Sequence, residues 1–491
     1  MDVDVLIVGM GPVGATLAAL LGDQGVRTLV VERDPQVYPL PRAAHFDHEI
    51  MRLFQQLGIA EAVMAHARPA PAYEFRAANG DLLMKFDGPA QTAASGWRAS
   101  YMFHQPGLEL ALRARLAAQA SVEVRLGSRF VELAQDAAGV EAVIEGPGGA
   151  ERVRARYLVG CDGASSPVRA ALDGQLFDYG FDEPWLVVDA RVNEFARTPD
   201  VNLQICDPER PTTCVLMGPG RHRWEFMLKP GETAEEAVSD AFIQPLIATW
   251  DCGPVELERR AVYRFHGLVA KTWRSGRVLL AGDAAHQMPP FAGQGMCSGL
   301  RDAANLAWKL AAVLGGADEA LLDTYQTERE PHVRSFIELA IHMGRVVCTL
   351  DPAAAAARDA AMKAGVGGPP PLAAPPIGPG HVLAGTPAAG ELFLQTWAEG
   401  RGLDDVLGPG PWLIARDGVP GAAGVPQAPG VEVIPLADPR LDGHREALGA
   451  WLAARGVPAV LVRPDRYVFG SGDPAALIAA WRAPFERRVV A

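Results

Sequence analysis

Three glycines and one acid near the start of the chain have the spacing of a nucleotide-binding turn. Gly9, Gly11 and Gly14 lie in the segment GMGPVG between an apolar run and a helix-like run, and Glu32 ends the next apolar run. In such a junction two glycines form the turn and admit a pyrophosphate against the backbone, and the third lets the helix pack closely. The helix N-terminus supplies free N–H groups, and the acid can bind ribose hydroxyls. The segment therefore predicts a dinucleotide site.

A second loop-to-helix junction lies far along the chain. An apolar run at 278–281 leads to Asp283, and after a loop containing Pro290 the segment GQGM at 293–296 opens a helix. A carboxylate binds hydroxyls and a helix N-terminus stabilises negative charge, so this geometry suits a polyol chain beside an anionic ring. Between the two junctions, Asp162 follows a further apolar run; taken alone, that segment is an Asp-Gly turn that closes a strand.

The elements that must position these groups follow from hydrophobic periodicity. Residues 4–9, 12–25 and 28–32 predict a βαβ unit. Residues 183–228 change to alternating, β-rich runs broken by Pro and Gly, which predicts a separate sheet. Helical patterns return after Gly295 and are expected to rejoin the first unit.

The last third of the chain begins with a Pro-, Gly- and Ala-rich stretch, which indicates a linker, and then shows the strands and helix of a small α/β domain. The predicted domains are 1–175 and 266–350 as the two parts of a nucleotide-binding domain, 176–265 as a β-rich domain, 351–384 as the linker, and 385–491 as the C-terminal domain.

Charge and cysteine usage exclude several classes of function. The net charge is -13 over 491 residues and no basic run could neutralise phosphates in series, so we expect no nucleic-acid partner. The six cysteines form no C-x-x-C pair, so we expect no metal site and buried free thiols in a reducing cytoplasm. The apolar run at 5–22 is preceded by acids and interrupted by glycines, which argues against a signal peptide or membrane span.

Together these segments resemble the class A flavoprotein aromatic hydroxylases, the family of para-hydroxybenzoate hydroxylase and phenol hydroxylase, and within it the 3-(3-hydroxyphenyl)propionate hydroxylase-like enzymes. The resemblance is carried by PRAAHFD at 41–47, HRWEFML at 222–228 and GQGMCSGLRDAANL at 293–306, and it extends to about Leu350. It implies an α/β fold: a Rossmann-like FAD-binding domain, an inserted β-sheet substrate domain and a C-terminal thioredoxin-like domain. That last domain has no cysteine after Cys348, so dithiol chemistry is excluded and a structural or dimer-forming role is expected.

The resemblance also implies a reaction and its cofactors. A phenolic small molecule would be hydroxylated by O2 through a flavin C4a-hydroperoxide, with FAD as cofactor and NADH or NADPH as reductant. Glycines of the first junction would hold the pyrophosphate, Glu32 the adenosine ribose, and Asp283 the ribityl chain, while the helix at Gly295 would face the flavin pyrimidine. The implied cofactor-binding residues are Gly9, Gly11, Pro12, Val13, Gly14, Glu32, Arg33, Arg42, Gln105, Asp162, Gly282, Asp283, Pro290, Gly293, Gly295 and Met296.

The resemblance places His45 beside substrate and flavin, where a group that titrates near neutrality could share the phenol proton, with Asp47 or His48 as its orienting partner. His45 could equally be a loop histidine that only binds backbone. His286 could either fix the Asp283 loop or touch substrate. A quinone-, polyketide- or antibiotic-processing monooxygenase, or a catalytically silent FAD-binding protein, remain the alternatives; a halogenase is disfavoured because no W-x-W-x-I-P segment is present.

Overall fold

The computed structural model describes residues 2–70, 72–87, 91–192, 199–250, 252–370, 374–419 and 430–486. Its first sheet confirms the predicted βαβ start: Val3–Val8 pairs in parallel with Thr28–Glu32, and the helix Pro12–Asp23 connects them. Three further strands join this sheet in parallel, and two more antiparallel strands pair beside the first half of Gly149–Gly160. In spatial order the main strands are Arg274–Ser275, Val278–Leu280, Gly149–Gly160, Val3–Val8, Thr28–Glu32 and Val122–Leu126, with Val140–Gly146 and Arg129–Gln135 beside them.

Three strands of this sheet, Val3–Val8, Thr28–Glu32 and Val278–Leu280, are almost continuous apolar runs, as expected of strands that are covered on both faces. Val5, Leu6 and Ile7 are fully buried, as are Leu279 and Leu280. Parallel strands end at the same edge of the sheet. The strands Val3–Val8 and Val278–Leu280 are separated only by Gly149–Gly160, and this register brings the two loop-to-helix junctions to one edge.

The second sheet has eight strands and includes the β-rich segment predicted from the alternating pattern. Two of its strands, Tyr73–Ala77 and Leu82–Phe86, come from the N-terminal segment, and the two long strands bend through register shifts. In spatial order the strands are His286–Gln287, Val255–Ala270, Leu176–Val192, Arg221–Met227, Thr212–Leu216, Asn202–Cys206, Tyr73–Ala77 and Leu82–Phe86. A separate three-stranded sheet has the order His45–Asp47, Ser100–Phe103 and Ala67–Pro69, and its strands come from the chain between Thr28–Glu32 and Val122–Leu126 of the first sheet.

The helices pack on the first sheet and around the C-terminal region. Pro12–Asp23 crosses the long helix Gly295–Leu314 so closely that a Cβ atom at Gly299 would lie 2.6 Å from Val13. In the described part of the chain, no helix is both long and apolar enough to pass through a bilayer. The helices are Pro12–Asp23, His48–Gln56, Ala60–Met64, Gln105–Ala117, Pro167–Ala171, Ala234–Ala237, Asp240–Ala248, Gly295–Leu314, Ala320–Val347, Pro352–Lys363, Leu403–Leu407, Arg445–Ala454 and Pro474–Arg482.

The C-terminal region is an α/β unit with a mixed four-stranded sheet, ordered Glu432–Pro435, Trp412–Ala415, Ala459–Val462 and Val468–Gly472. A short hairpin, Trp397–Ala398 with Arg401–Gly402, precedes it. This unit is joined to the rest of the chain through buried ion pairs. Arg52 donates two hydrogen bonds to Asp404, at 2.8 and 2.7 Å.

Candidate functional site

One cavity of about 870 Å³ lies between the first and second sheets, and it is large enough for a cofactor and a small ligand. Both predicted junctions open into it, so Gly11 and Asp283 share one cleft. Six of the expected site residues do not line it: Gly9, Gly14, Glu32, Arg33, Asp162 and Gly282. Those that line it are Gly11, Pro12, Val13, Arg42, His45, Asp47, Gln105, Asp283, Pro290, Gly293, Gly295 and Met296.

Glycine is needed for a different physical reason at each of the three positions of the first junction. Gly9 has φ +98°, and a Cβ there would lie 2.5 Å from the Cys161 carbonyl oxygen. A Cβ at Gly14 would lie 2.0 Å from the Gly9 oxygen, so this glycine permits the close turn of helix onto strand. At Gly11 a Cβ would meet nothing within 4 Å. Protein packing therefore does not require a glycine at position 11, and its missing side chain leaves space in the cavity.

The helix behind Gly11 begins with Pro12 and has no side-chain cap, so its first N–H groups are available to a ligand. An uncapped helix start with an empty space in front of it is suited to a phosphate group. The available N–H groups and the space at Gly11 are the features that a bound pyrophosphate would use.

The second junction is fixed by buried charge. Asp302 accepts hydrogen bonds from the Gly282 N–H at 3.1 Å, from His286 at 2.7 Å and from Arg329 at 2.9 Å. His286 is buried and does not line the cavity, so the structure places it as a support of the loop. Asp283 faces the cavity instead, and its burial within the cleft raises the pKa of its carboxyl, while the charges of His286 and Arg42 oppose that rise.

The long helix after this loop also begins without a side-chain cap, and Gly295 and Met296 of its first turn line the cavity. Gly293, with φ +62°, ends the short turn Pro290–Ala292 that precedes it. A Cβ at Gly293 would lie 2.8 Å from the ring nitrogen of His45. The close contact brings His45 beside the helix N-terminus.

His45 does not have the orienting partner expected from the sequence. Its Nδ1 lies 2.9 Å from the Gly293 carbonyl oxygen and its Nε2 lies 2.7 Å from the Ser100 hydroxyl. His48 instead contacts Ser95, at 3.1 Å. Asp47 caps the helix His48–Gln56 by accepting the backbone N–H groups of residues 49 and 50. Burial lowers the pKa of His45, although the Gly293 carbonyl and the Asp47 charge act in the other direction.

Asp47 belongs to a buried charge cluster behind the cavity wall. It pairs with Arg301, which also donates to Glu49 at 2.6 Å and to Gln294 at 3.0 Å. Tyr467 of the C-terminal unit donates to the other oxygen of Glu49 at 2.7 Å. The paired Arg301 charge holds the pKa of Asp47 well below its usual range despite burial. Asp47 therefore remains ionised and is suited to holding structure rather than to exchanging a proton.

Three further expected residues line the cavity or support the first junction. The Gln105 side-chain oxygen accepts the backbone N–H groups of Arg42 and Ala43, which fixes that segment. The Arg42 guanidinium lies 5.0 Å over the Tyr38 ring and forms no ion pair with a described residue. Glu32 accepts the N–H of Met10 at 2.7 Å and thereby supports the glycine turn.

Asp162 uses both of its oxygens within its own turn. It accepts the Ser166 hydroxyl at 2.5 Å and the Val168 N–H at 2.9 Å. Its neighbours Cys161 and Gly163 reach the cavity, whereas Asp162 does not. The local geometry is that of an Asp-Gly turn that closes a strand and begins a short helix.

The second sheet supplies a polar wall that sequence reasoning did not single out residue by residue. Four strands of this sheet contribute the residues of that wall, which are Tyr73, Gln204, Thr213, Arg223 and Glu225. The signal was present in HRWEFML, because alternation in a strand places Arg223 and Glu225 on the face opposite Trp224 and Phe226. Those two aromatics are core residues, buried against the helices on the far side of the sheet.

Comparison with known proteins assigns the chain to a family. The model of the FAD binding domain family matches residues 2–340. A probable NADH-specific resorcinol 4-hydroxylase of Rhodococcus jostii (strain RHA1) is 42% identical, with 97% of this chain and 93% of that protein covered. A 3-(3-hydroxy-phenyl)propionate/3-hydroxycinnamic acid hydroxylase of Mycolicibacterium smegmatis (strain ATCC 700084 / mc(2)155) is 36% identical over 96% of this chain and 90% of that protein.

Solved structures show the same architecture. The flavin-dependent monooxygenase PieE, in complex with FAD and substrate, superposes with a TM-score of 0.83 at 26% identity over 98% of both chains. Aklavinone-11 hydroxylase, in a ternary complex with FAD and aklavinone, superposes with a TM-score of 0.79 at 26% identity over 99% of both chains.

The chain therefore belongs to the FAD binding domain family, and its predicted membership of the class A flavoprotein aromatic hydroxylases is confirmed. The residues of the cavity fit FAD on structural grounds as well: an empty space in front of Gly11, two uncapped helix starts and the carboxylate of Asp283.

Proposed function

We propose that this chain hydroxylates the ring of a small phenol, with FAD as cofactor, NADH as reductant and molecular oxygen as the other substrate. One observation carries the proposal: a single cavity joins both loop-to-helix junctions and continues to the polar wall of the second sheet. The relatives named as resorcinol and hydroxyphenylpropionate hydroxylases, aligned over nearly the whole chain, support a phenolic substrate, and the NADH-specific one supports NADH.

When bound, FAD supplies the electron transfer and oxygen activation that no side chain can perform. The residues of this chain then have holding roles. The helix start at Gly11 and the Arg42 guanidinium would hold the diphosphate, and Asp283 would hold the ribityl hydroxyls. The helix start at Gly295 would stabilise negative charge on the ring system. Gly9, Gly14 and Glu32 act indirectly, by shaping the turn.

The hydrogen bonds of His45 define a proton acceptor for the substrate. A carbonyl oxygen only accepts, so His45 Nδ1 carries the hydrogen that it donates to Gly293. Nε2 of the neutral ring then accepts from the Ser100 hydroxyl. The lowered pKa keeps His45 neutral near pH 7. Ser100 lines the cavity, and its oxygen can accept the proton of a phenolic hydroxyl while it gives its own to Nε2.

Removing the phenol proton increases electron density on the ring, which is what attack by an electrophilic oxygen requires. The apolar lining near this point, including Phe291 and Met288, limits access of water. We also propose that the C-terminal unit has a structural role, and a homodimer and a cytoplasmic location remain predictions.

Purified protein loaded with FAD should oxidise NADH and consume oxygen faster when a phenol is added. With ¹⁸O2, the aromatic product should gain one labelled oxygen atom. Bound FAD without any phenol-stimulated oxygen uptake, over a panel that includes resorcinol and 3-(3-hydroxyphenyl)propionate, would refute a phenol hydroxylase. Turnover with a quinone or polyketide alone would favour the alternative substrate classes.

A further inference from the structure

Glu225 is a buried carboxyl that faces the cavity without a hydrogen-bond donor. Its residue is 4% exposed, and it lines the cavity from the strand Arg221–Met227. Among described residues, its one ion-pair partner is Arg223, at 3.8 Å, too long for a hydrogen bond. A buried carboxylate normally accepts several hydrogen bonds. The described residues supply none to the side chain of Glu225, so its oxygens are available to a ligand in the cavity.

Arg223 does not satisfy Glu225, because four of its five N–H groups donate elsewhere and Nη1, which carries the fifth, lies 3.8 Å from the Glu225 carboxyl, too far for a hydrogen bond. It donates to Asp189 at 2.6 and 3.1 Å and to the carbonyl oxygens of Pro41 and Arg42 at 2.8 Å each. These bonds fix the guanidinium plane toward the 41–42 segment. The Arg223 charge therefore acts on Glu225 through space, but Arg223 donates no hydrogen bond to it.

The nearest polar side chain across the sheet is also committed. Thr213 lies directly opposite Glu225 in the strand register, but its hydroxyl donates to Gln204 at 2.8 Å. Gln204 donates to the Tyr73 hydroxyl at 2.5 Å, and Tyr73 donates to the Phe291 carbonyl at 3.1 Å. Because the carbonyl can only accept, it sets the direction of the whole chain of hydrogen bonds. The single Thr213 proton points away from Glu225.

We propose that Glu225 binds a hydroxyl group of the substrate, and that the site therefore takes a neutral phenol with a second hydroxyl, a benzenediol, in preference to a phenol with a carboxylate side chain. The inference rests on the proposed function and names the substrate class for that site. A hydroxyl donor would satisfy the carboxyl, whereas a second carboxylate would be repelled by Glu225 and Asp189.

The cations of the cavity support the same selectivity. A substrate carboxylate needs an uncommitted Arg or Lys, yet nearly every one that lines the described cavity already pairs with a carboxylate of the chain. Only Arg42, at the diphosphate end, forms no such pair with a described residue. The pairs are Arg223 with Asp189, Arg301 with Asp47 and Glu49, Arg264 with Asp182, and Lys85 with Asp87.

The acidity of Glu225 agrees with a carboxyl that lacks a donor. Burial raises its pKa to about 7, with the Arg223 charge lowering it, the Asp189 charge raising it further and the Arg259 charge lowering it. A hydroxyl that donates to the ionised form would remove part of this cost.

Binding to the oxidised, FAD-loaded enzyme without NADH tests the proposal apart from turnover. Flavin difference spectra would give Kd values for phenol, resorcinol and 3-(3-hydroxyphenyl)propionate. A hydrogen bond to a charged group predicts that the wild type binds resorcinol about 10-fold or more tighter than phenol. Glu225→Met, which has similar volume and no acceptor, should bring the two Kd values within about twofold, and Glu225→Gln should give an intermediate ratio.

Glu258→Gln is the matched control. This carboxylate lies on the strand Val255–Ala270 of the same sheet, pairs with Arg191 and Arg221, and does not line the cavity. It should retain the wild-type ratio. The FAD absorbance and circular dichroism of each variant would establish that it is folded.

Two results would overturn the proposal: an unchanged resorcinol-to-phenol ratio in folded Glu225 variants, or tighter binding of 3-(3-hydroxyphenyl)propionate than of resorcinol by the wild type. The second comparison needs no variant, so a failure of Glu225→Met to fold leaves a decisive measurement. Absence of phenol-stimulated oxygen uptake would instead refute the proposed function, whatever the binding ratios.

Discussion

Replacing Gly11 by Ala separates a requirement of the ligand from a requirement of the fold. The Cβ of Ala would meet no protein atom within 4 Å, and the residue has φ -68° and ψ -177°, which any amino acid adopts. At Gly14 the same change would place a Cβ 2.0 Å from a backbone oxygen. Gly11→Ala should therefore fold, and Gly14→Ala should not fold normally.

The expected size of the effect comes from the space in front of Gly11. If a pyrophosphate lies against this backbone, an added methyl group overpacks the contact, at a cost of about 1–3 kcal/mol. The Kd of FAD should rise about 5- to 150-fold. Ala is a poorer helix N-cap than Gly but restricts the unfolded chain, and since the two effects oppose each other, apo-protein stability should change by less than about 1 kcal/mol.

The assay is titration of apo-protein with FAD, followed by flavin fluorescence, together with urea unfolding of the apo-protein. Gly148→Ala is the control, because its Cβ would also meet nothing within 4 Å but lies in a hairpin turn away from the cavity. An unchanged FAD affinity in Gly11→Ala would refute the placement of the diphosphate. Equal weakening in both variants would show that the effect is not local.

Three further outcomes are expected. Ser100→Ala should lower kcat about 10- to 100-fold at pH 7 with a smaller change in KM, and the loss should shrink toward pH 10, where phenols ionise unaided; a constant loss across pH would contradict the relay to His45. Tyr467→Phe should destabilise the FAD-loaded enzyme by about 1.5–3 kcal/mol in urea, because the buried Glu49 carboxyl, which also pairs with Arg301, loses a 2.7 Å hydrogen bond; no change would show that this bond is not coupled to folding. Burial raises the pKa of Glu225 from 4.5 to about 7, so wild-type stability should fall as pH rises across that interval, by at most about 3 kcal/mol relative to Glu225→Gln; parallel stability curves from pH 5 to 8 would contradict this pKa.

Much of the cofactor end could be predicted from the sequence because each of its parts is local. A glycine turn, the strand before it and the helix after it occupy consecutive residues, so Gly9, Gly11 and Gly14 are recognisable from spacing alone. The Asp283 loop and the helix at Gly295 are local in the same sense. Only the parallel pairing of the strands was needed to bring both junctions together.

The substrate end could not be predicted in the same way, because it is built from segments far apart in the chain. Tyr73 pairs with a strand some 130 residues later. Ser100 contacts His45 because their two strands pair in an antiparallel register, which no local sequence pattern predicts. His45 lines the cavity, but neither of its ring nitrogens bonds the expected Asp47, which pairs with Arg301 instead. Alternation does place Glu225 on the cavity face once the strand is known.

Buried polar contacts attach the C-terminal unit to the rest of the chain. Glu49 lies in the helix His48–Gln56 and accepts two hydrogen bonds. One comes from Arg301 of the helix that begins at Gly295, and the other comes from Tyr467 of the C-terminal unit. Glu328 is buried in a second such contact, accepting Lys309 at 2.8 Å and Arg463 of the C-terminal unit at 2.7 Å. Removing one partner of a buried charge is strongly destabilising, since the other is left unpaired. The C-terminal unit therefore completes the support of the helix that begins at Gly295, although none of its described residues lines the cavity.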